Sequence, residues 1–168
     1  MDVSFINHFI ESTANVFDTM LSCKVKRTSL ILKTGCQPTH EVSAVIGLSG
    51  KATGSVVLSL STNVALRSVE HMLFDEFTEI NAEVVDGVGE LANMVAGGAK
   101  AAMAHLELAL GLPNVIVGNS HQIYFPGNVQ PISVGFETPW GPMSIDVGFN
   151  ASLEGNLDAI SVEQPALV

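Results

Sequence analysis

Apolar and polar positions alternate along this chain with two different periods, and the switches between them mark its elements. Over residues 2–21, Ile6, Phe9, Ile10, Phe17, Met20 and Leu21 fall on one face of a helix. From Lys24 to Leu32 the chain is β-prone but alternates poorly. Val42, Ala44, Ile46 and Leu48 then take every second position between Glu41 and Ser49, and Val56, Leu58 and Leu60 do so between Gly54 and Leu60. These are two strands, with the turn supplied by Ser49–Gly54. Ser61 or Thr62 is placed to cap a short helix through Leu73, where Asp75 and Glu76 break the pattern.

The helical period returns from Thr78, read as a cap, to about Leu110. Ile80, Val84, Val88, Leu91, Val95, Ala102 and Leu106 recur at steps of three and four with one longer step. Gly111-Leu112-Pro113 ends this helix, since proline cannot continue it. Val115–Val117 and Gln122–Phe125 read as short strands. Ile132, Val134 and Phe136, then Met143, Ile145, Val147 and Phe149, alternate with small or polar residues on either side of Thr138-Pro139-Trp140-Gly141-Pro142, which predicts a hairpin.

The expected class is α+β: an antiparallel sheet with two long helices packed on one face. Helix then strands occurs twice, over 2–60 and 78–149, so the arrangement is pseudo-duplicated. One domain covers 1–150, and 151–168, with little periodicity, is expected to be a mobile C-terminal tail.

The long helix has an unusual second face. Glu83, Asp86, Glu90, Asn93, Gly97 and Lys100 lie within about 60° either side of one line at roughly 100° per residue. A solvated helix face is ordinarily broad and rich in Lys and Glu. This one is narrow, and it sets a single carboxamide between a carboxylate and a glycine. Glycine inside a helix costs about 1 kcal/mol relative to alanine, yet Gly87, Gly89, Gly97 and Gly98 all lie here. The plain reading is a helix packed tightly under the sheet with an incidental polar face; the alternative is a ridge made for insertion into a partner.

Composition narrows the choice. Of 168 residues, 47% are apolar and 14% charged, with a formal net charge of −10. Seven scattered Lys and Arg argue against nucleic acid and against an anionic membrane as partners. No leader-like segment and no long apolar run is visible, so a cytoplasmic location is expected. Cys23 and Cys36 form no metal or redox motif and are expected as thiols. The five histidines are dispersed, so no metal site is expected. Gly50-Lys51 with Thr53 has the wrong spacing for a phosphate loop, and Gly87 with Gly89 lies within a helix, not after a strand as a dinucleotide fingerprint requires.

Glu90-Leu91-Ala92-Asn93-Met94-Val95-Ala96-Gly97 resembles the signature of the CheC/CheX/FliY phosphatases of bacterial chemotaxis: an acidic or serine residue, three spacers, Glu, two spacers, Asn, and a later proline. Asp86, Glu90 and Asn93 match in type and spacing. Pro113 resembles the family proline but comes a few residues early. Val45–Gly50 and Gly54–Ser59 resemble the CheX strand pair, so the likeness covers roughly residues 3 to 150. The CheC branch has a second Glu-x2-Asn on its first helix; Glu11 and Asn15 have the wrong spacing, which implies one site per chain, as in CheX.

The resemblance implies a phosphatase of two-component signalling that acts on the phospho-aspartate of a CheY-like response regulator. Asn93 would orient the attacking water and Glu90 would pair with a lysine of the receiver; Asp86, Gly97 and Pro113 would support docking. No cofactor of its own is implied, because Mg2+ belongs to the receiver, and a homodimer through sheet edges is implied as in CheX. The receiver site is itself acidic, so with a net charge of −10 insertion must be local, with Lys100 softening the approach. The rival readings are a CheX-like interaction module that docks without hydrolysis, for which the early Pro113 speaks, and a purely structural dimerisation domain.

Overall fold

Strand order carries the logic of this fold. The structure is a computed structural model and describes residues 5–127 and 129–151; the expected tail beyond residue 151 lies outside them. Seven strands form one antiparallel sheet: β1 (Lys26–Leu32), β2 (Val42–Ser49), β3 (Ala52–Leu60), β4 (Ala109–Leu110), β5 (Asn114–Val117), β6 (Ile132–Thr138) and β7 (Gly141–Ala151). The order is β1-β6-β7-β3-β2, with β4 and β5 both pairing to the outer edge of β2. Exchanging β1 with β5, β2 with β6 and β3 with β7 returns the same order reversed. This is the internal duplication as geometry, with β3 and β7 meeting at the centre along nine residue pairs from Ala52↔Ala151 to Leu60↔Met143.

Among the described residues, three α-helices accompany the sheet: α1 (Phe5–Leu21), α2 (Thr62–Leu73) and α3 (Ala82–Ala102). The alternating residues expected to face them do so. Val42, Ala44, Ile46, Leu58, Leu60, Val134, Ile145 and Val147 are buried in one core with Phe9, Phe17, Val84, Val88, Leu91 and Val95. The Phe5 ring lies 4.2 Å from that of Phe149. Between the long helices, Ser12 Oγ donates to the Val95 carbonyl at 2.7 Å.

The other face of the sheet is covered by chain segments. Ser43, Ser59, Ser133, Ser144 and Asp146 lie on it, and all are buried. Segment 33–41 crosses there: Lys33 pairs with Asp146, Ser133 Oγ donates to the same carboxylate at 2.5 Å, and the His40 amide donates to Ser59 Oγ at 2.9 Å. Burial holds the His40 imidazole below its ordinary 6.5; Glu41, Asp146 and Glu137 pull it upward and Lys33 pushes it down.

Several boundaries differ from the sequence reading. Asn81, not Thr78, caps α3, with its side-chain oxygen accepting from the Val84 amide at 2.9 Å. The helix ends at Ala102 and not near Leu110: a 3-10 turn (Ala104–Leu106) follows, Glu107 adopts φ +48°, and Leu110 pairs with Leu48 in β4. Ser61 holds the cap position of α2, but its hydroxyl makes no cap bond; Glu41 accepts from the Thr62 amide at 3.2 Å instead. Gln122–Phe125 is not a strand. It lies beside the crossing segment, where the Ile123 amide donates to the Cys36 carbonyl at 2.7 Å. The turn of the β2–β3 hairpin is only Gly50-Lys51, with Gly50 at φ +127°. Both cysteines are free thiols, and burial pushes Cys23 up.

Candidate functional site

The sequence of α3 makes its two faces differ. Val84, Val88, Leu91 and Val95 repeat at helical spacing and are fully buried. Two of the glycines answer to close packing beside them. A Cβ on Gly87 would sit 2.7 Å from a Val69 methyl on α2, and one on Gly89 would sit 3.4 Å from Pro113. Pro113 thus braces the side of α3 where the chain enters β5. Gly98 lies over Ser12 of α1, where a Cβ would come within 2.3 Å of the hydroxyl. Gly97 is the exception: nothing lies within 4 Å of the position its Cβ would take.

The ridge opposite the core points outward. Glu83, Asp86, Glu90 and Lys100 are exposed, and Asn93 and Gly97 are half-buried. Asn93 follows Glu90 by three residues, which sets it about 4.5 Å further along the axis and roughly 60° around it. Among the described residues, no hydrogen bond or ion pair engages the side chains of Asp86, Glu90 or Asn93. Two carboxylates and a carboxamide therefore line the outward ridge without side-chain partners among the described residues.

Beyond Asn93 the ridge borders a groove of about 470 Å3, lined by Asn93, Gly97, Lys100, Ala101, Ala104, Glu107, Leu108 and Leu110. Its far wall is the segment that the sequence reading had continued as helix. That wall is fastened to the β2–β3 turn: the Lys51 amide donates to the Leu106 carbonyl at 3.1 Å and Lys51 Nζ meets Glu107 Oε1 at 2.5 Å. Sequence reasoning missed Lys51, Glu107 and Leu108. The one available signal was Leu106-Glu107-Leu108-Ala109-Leu110, which alternates with a period of two.

Among the described residues, no group of three or more His, Cys, Asp or Glu is arranged to hold a metal ion, and no helix is long and apolar enough to cross a membrane. The Glu11 and Asn15 side chains on α1 are exposed but do not repeat the Glu90/Asn93 spacing.

Comparison with known proteins places the chain in a family. The profile of the chemotaxis phosphatase CheX family matches residues 42–137. The CheY-P phosphatase CheX of Thermotoga maritima is 28% identical over 139 residues, covering 80% of this chain and 90% of that protein. A CheC-like superfamily protein from Shewanella sp. PV-4 superposes with a TM-score of 0.80 at 32% identity, covering 89% of this chain and 99% of that one. The CheX of a CheX–CheY–BeF3–Mg2+ complex from Borrelia burgdorferi shares the fold, with a TM-score of 0.75 at 19% identity over 88% and 99% of the two chains. With its profile spanning more than half of the sequence and its fold matched over nearly the whole of the described chain, the protein belongs to the chemotaxis phosphatase CheX family.

Proposed function

We propose that the protein dephosphorylates the phospho-aspartate of a CheY-like response regulator by inserting the α3 ridge into the receiver's phosphorylation site. The observation that carries this reading is the pair Glu90 and Asn93, one turn apart, exposed and half-buried respectively and unengaged among the described residues, in a family whose Thermotoga maritima member is a CheY-P phosphatase.

Acyl phosphate hydrolysis needs a water held in line with phosphorus, and most of the available acceleration is positioning. A carboxamide suits that task because it accepts and donates hydrogen bonds without changing charge. Asn93 holds the water. Glu90 pairs with a lysine of the receiver and fixes the register of insertion, and Asp86 adds a second anchor one turn earlier. Gly97 leaves the ridge bare where the receiver comes closest, and Pro113 braces the helix from behind. Mg2+ belongs to the receiver, consistent with its presence alongside CheY and BeF3, a phosphoryl mimic, in the Borrelia complex. The enzyme acts in the cytoplasm, where such receivers reside.

The protein works as a homodimer joined through sheet edges. In support, β1 is an edge strand exposed at every residue, with Leu30, Ile31 and Leu32 at 47%, 57% and 55% exposure. An unpaired apolar edge of this kind is a template for pairing with a second chain.

The test is the decay of a phosphorylated CheY-type receiver from the same organism, with wild type and with Asn93→Ala. Faster decay with wild type, lost in Asn93→Ala, is the expected result. Binding without acceleration by wild type returns the reading of a non-catalytic docking module.

A further inference from the structure

The groove beside Asn93 has a charge arrangement that the catalytic reading does not use. Lys100 is the single cation of α3, is exposed, and makes no ion pair among the described residues. Glu107, on the opposite wall, is already paired with Lys51, which the β2–β3 turn holds in place. In a chain of net charge −10, this groove therefore presents one positive charge, and the one carboxylate among its lining residues is already paired with Lys51. Its remaining surface is apolar or small: Ala101, Ala104, Leu108 and Leu110.

We infer that this groove is a recognition subsite for the same receiver domain, taking an acidic side chain onto Lys100 and an adjacent apolar side chain against Leu108 and Leu110. The inference rests on the phosphatase reading for its partner. Two observations select that occupant over others. The groove is continuous with the ridge, because Asn93 and Gly97 belong to both, so a receiver seated on Asn93 covers it. A receiver phosphorylation site is rich in carboxylates, and Lys100 is the charge on this face that such a rim would seek. Lys51 acts as a positioning residue: by occupying Glu107 it keeps that carboxylate from opposing the incoming acid. An exposed pair of this kind adds little to stability, so its effect is on the local field.

The subsite's charge governs association and not the chemical step, because Lys100 lies about two turns along the helix from the water-orienting Asn93. The experiment is steady-state dephosphorylation of the phosphorylated CheY-type receiver by wild type, Lys100→Met, Lys100→Glu and the groove-filling Ala104→Trp, repeated at low and high salt. Both positions, Lys100 and Ala104, are exposed, and thermal melts check that each variant folds. The expected result is KM raised at least tenfold in Lys100→Glu and Ala104→Trp, less in Lys100→Met, with kcat unchanged and a weaker salt dependence when Lys100 is removed. KM within twofold of wild type in Lys100→Glu, or a fall in kcat at constant KM, overturns the subsite. If wild type does not accelerate decay at all, the phosphatase reading fails by itself. The groove is then judged by affinity for the receiver loaded with BeF3 and Mg2+: tenfold weakening by Lys100→Glu supports it, and unchanged affinity overturns it.

Discussion

Replacing Gly97 by alanine should improve folding and impair docking, which is an uncommon combination. Glycine in a helix interior is less favourable than alanine by about 1 kcal/mol. At Gly97 no atom lies within 4 Å of the added methyl, so nothing offsets that gain. For a chain of this size, about 1 kcal/mol corresponds to roughly 2–4 °C in Tm. Gly98→Ala is the internal control. Its methyl would lie 2.3 Å from Ser12 Oγ, the group that donates to the Val95 carbonyl. Displacing that buried hydroxyl forfeits about 1–3 kcal/mol, so the neighbouring variant should melt lower than wild type. Gly87→Ala should also melt lower, because Val69 methyls at 2.7 and 2.8 Å leave no room for it. The functional half of the prediction concerns the receiver. A methyl at the point of closest approach acts like overpacking, about 1–3 kcal/mol, and lowers kcat/KM roughly five- to hundred-fold. Scanning calorimetry and receiver dephosphorylation on the same preparations decide it. A Gly97→Ala protein that melts below wild type refutes the steric argument, and one that melts higher with undiminished kcat/KM refutes the ridge as a docking surface.

Asn93→Ala, which abolishes hydrolysis on the proposed reading, should change stability by less than about 0.5 kcal/mol in urea unfolding, because its amide holds no partner within the described chain. Asp146→Ala should cost about 3 kcal/mol in the same assay, since it strands the largely buried Lys33 ammonium; Lys33→Met combined with Asp146→Leu should recover much of the loss, and a single-variant loss below about 1 kcal/mol would contradict the assignment. For His40 the folded imidazole lies below its ordinary 6.5, so the unfolded chain takes up a proton that the native state refuses. Its contribution is intact above that value and is lost as pH falls through it. Unfolding free energies of wild type should therefore drop more steeply between pH 7.5 and pH 5 than those of His40→Gln, and parallel curves would show that burial of His40 is not responsible.

The strands of the core were legible because each buries one face. Val42-x-Ala44-x-Ile46-x-Leu48 admits only one register against the helices, and its partners Val56, Leu58 and Leu60 repeat the device. The outward ridge of α3 was legible for the same reason, once Val84, Val88, Leu91 and Val95 had claimed the core. Its ends were not. The buried stripe runs on from Val95 through Ala99 to Met103 while Ala102, read as part of it, is exposed, and Leu106 and Leu110 fit a helix and a strand equally well over so short a run. At the other end, Thr78 and Asn81 are both competent caps, and only the local backbone chooses between them. The covering of the outer face could not be read locally at all. Lys33 and Asp146 are 113 residues apart, and neither carries a pattern that names the other. The groove wall was hidden likewise, because it depends on Glu107 meeting the hairpin tip at Lys51.

The reversed-symmetric strand order also dictates when the protein can fold as it is made. Among the described residues β1 pairs only with β6, from Lys26↔Glu137 to Leu32↔Ile132, so each half of the duplication completes its sheet with a strand of the other. At translation rates of about 5–20 residues per second, β1 leaves the ribosome roughly 5–20 s before the strand that will cover its edge. Leu30, Ile31 and Leu32 wait through that interval with no neighbour on either side. The nascent chain should therefore complete its sheet only after the last hairpin is made, which limited proteolysis of chains arrested near residue 75 would check.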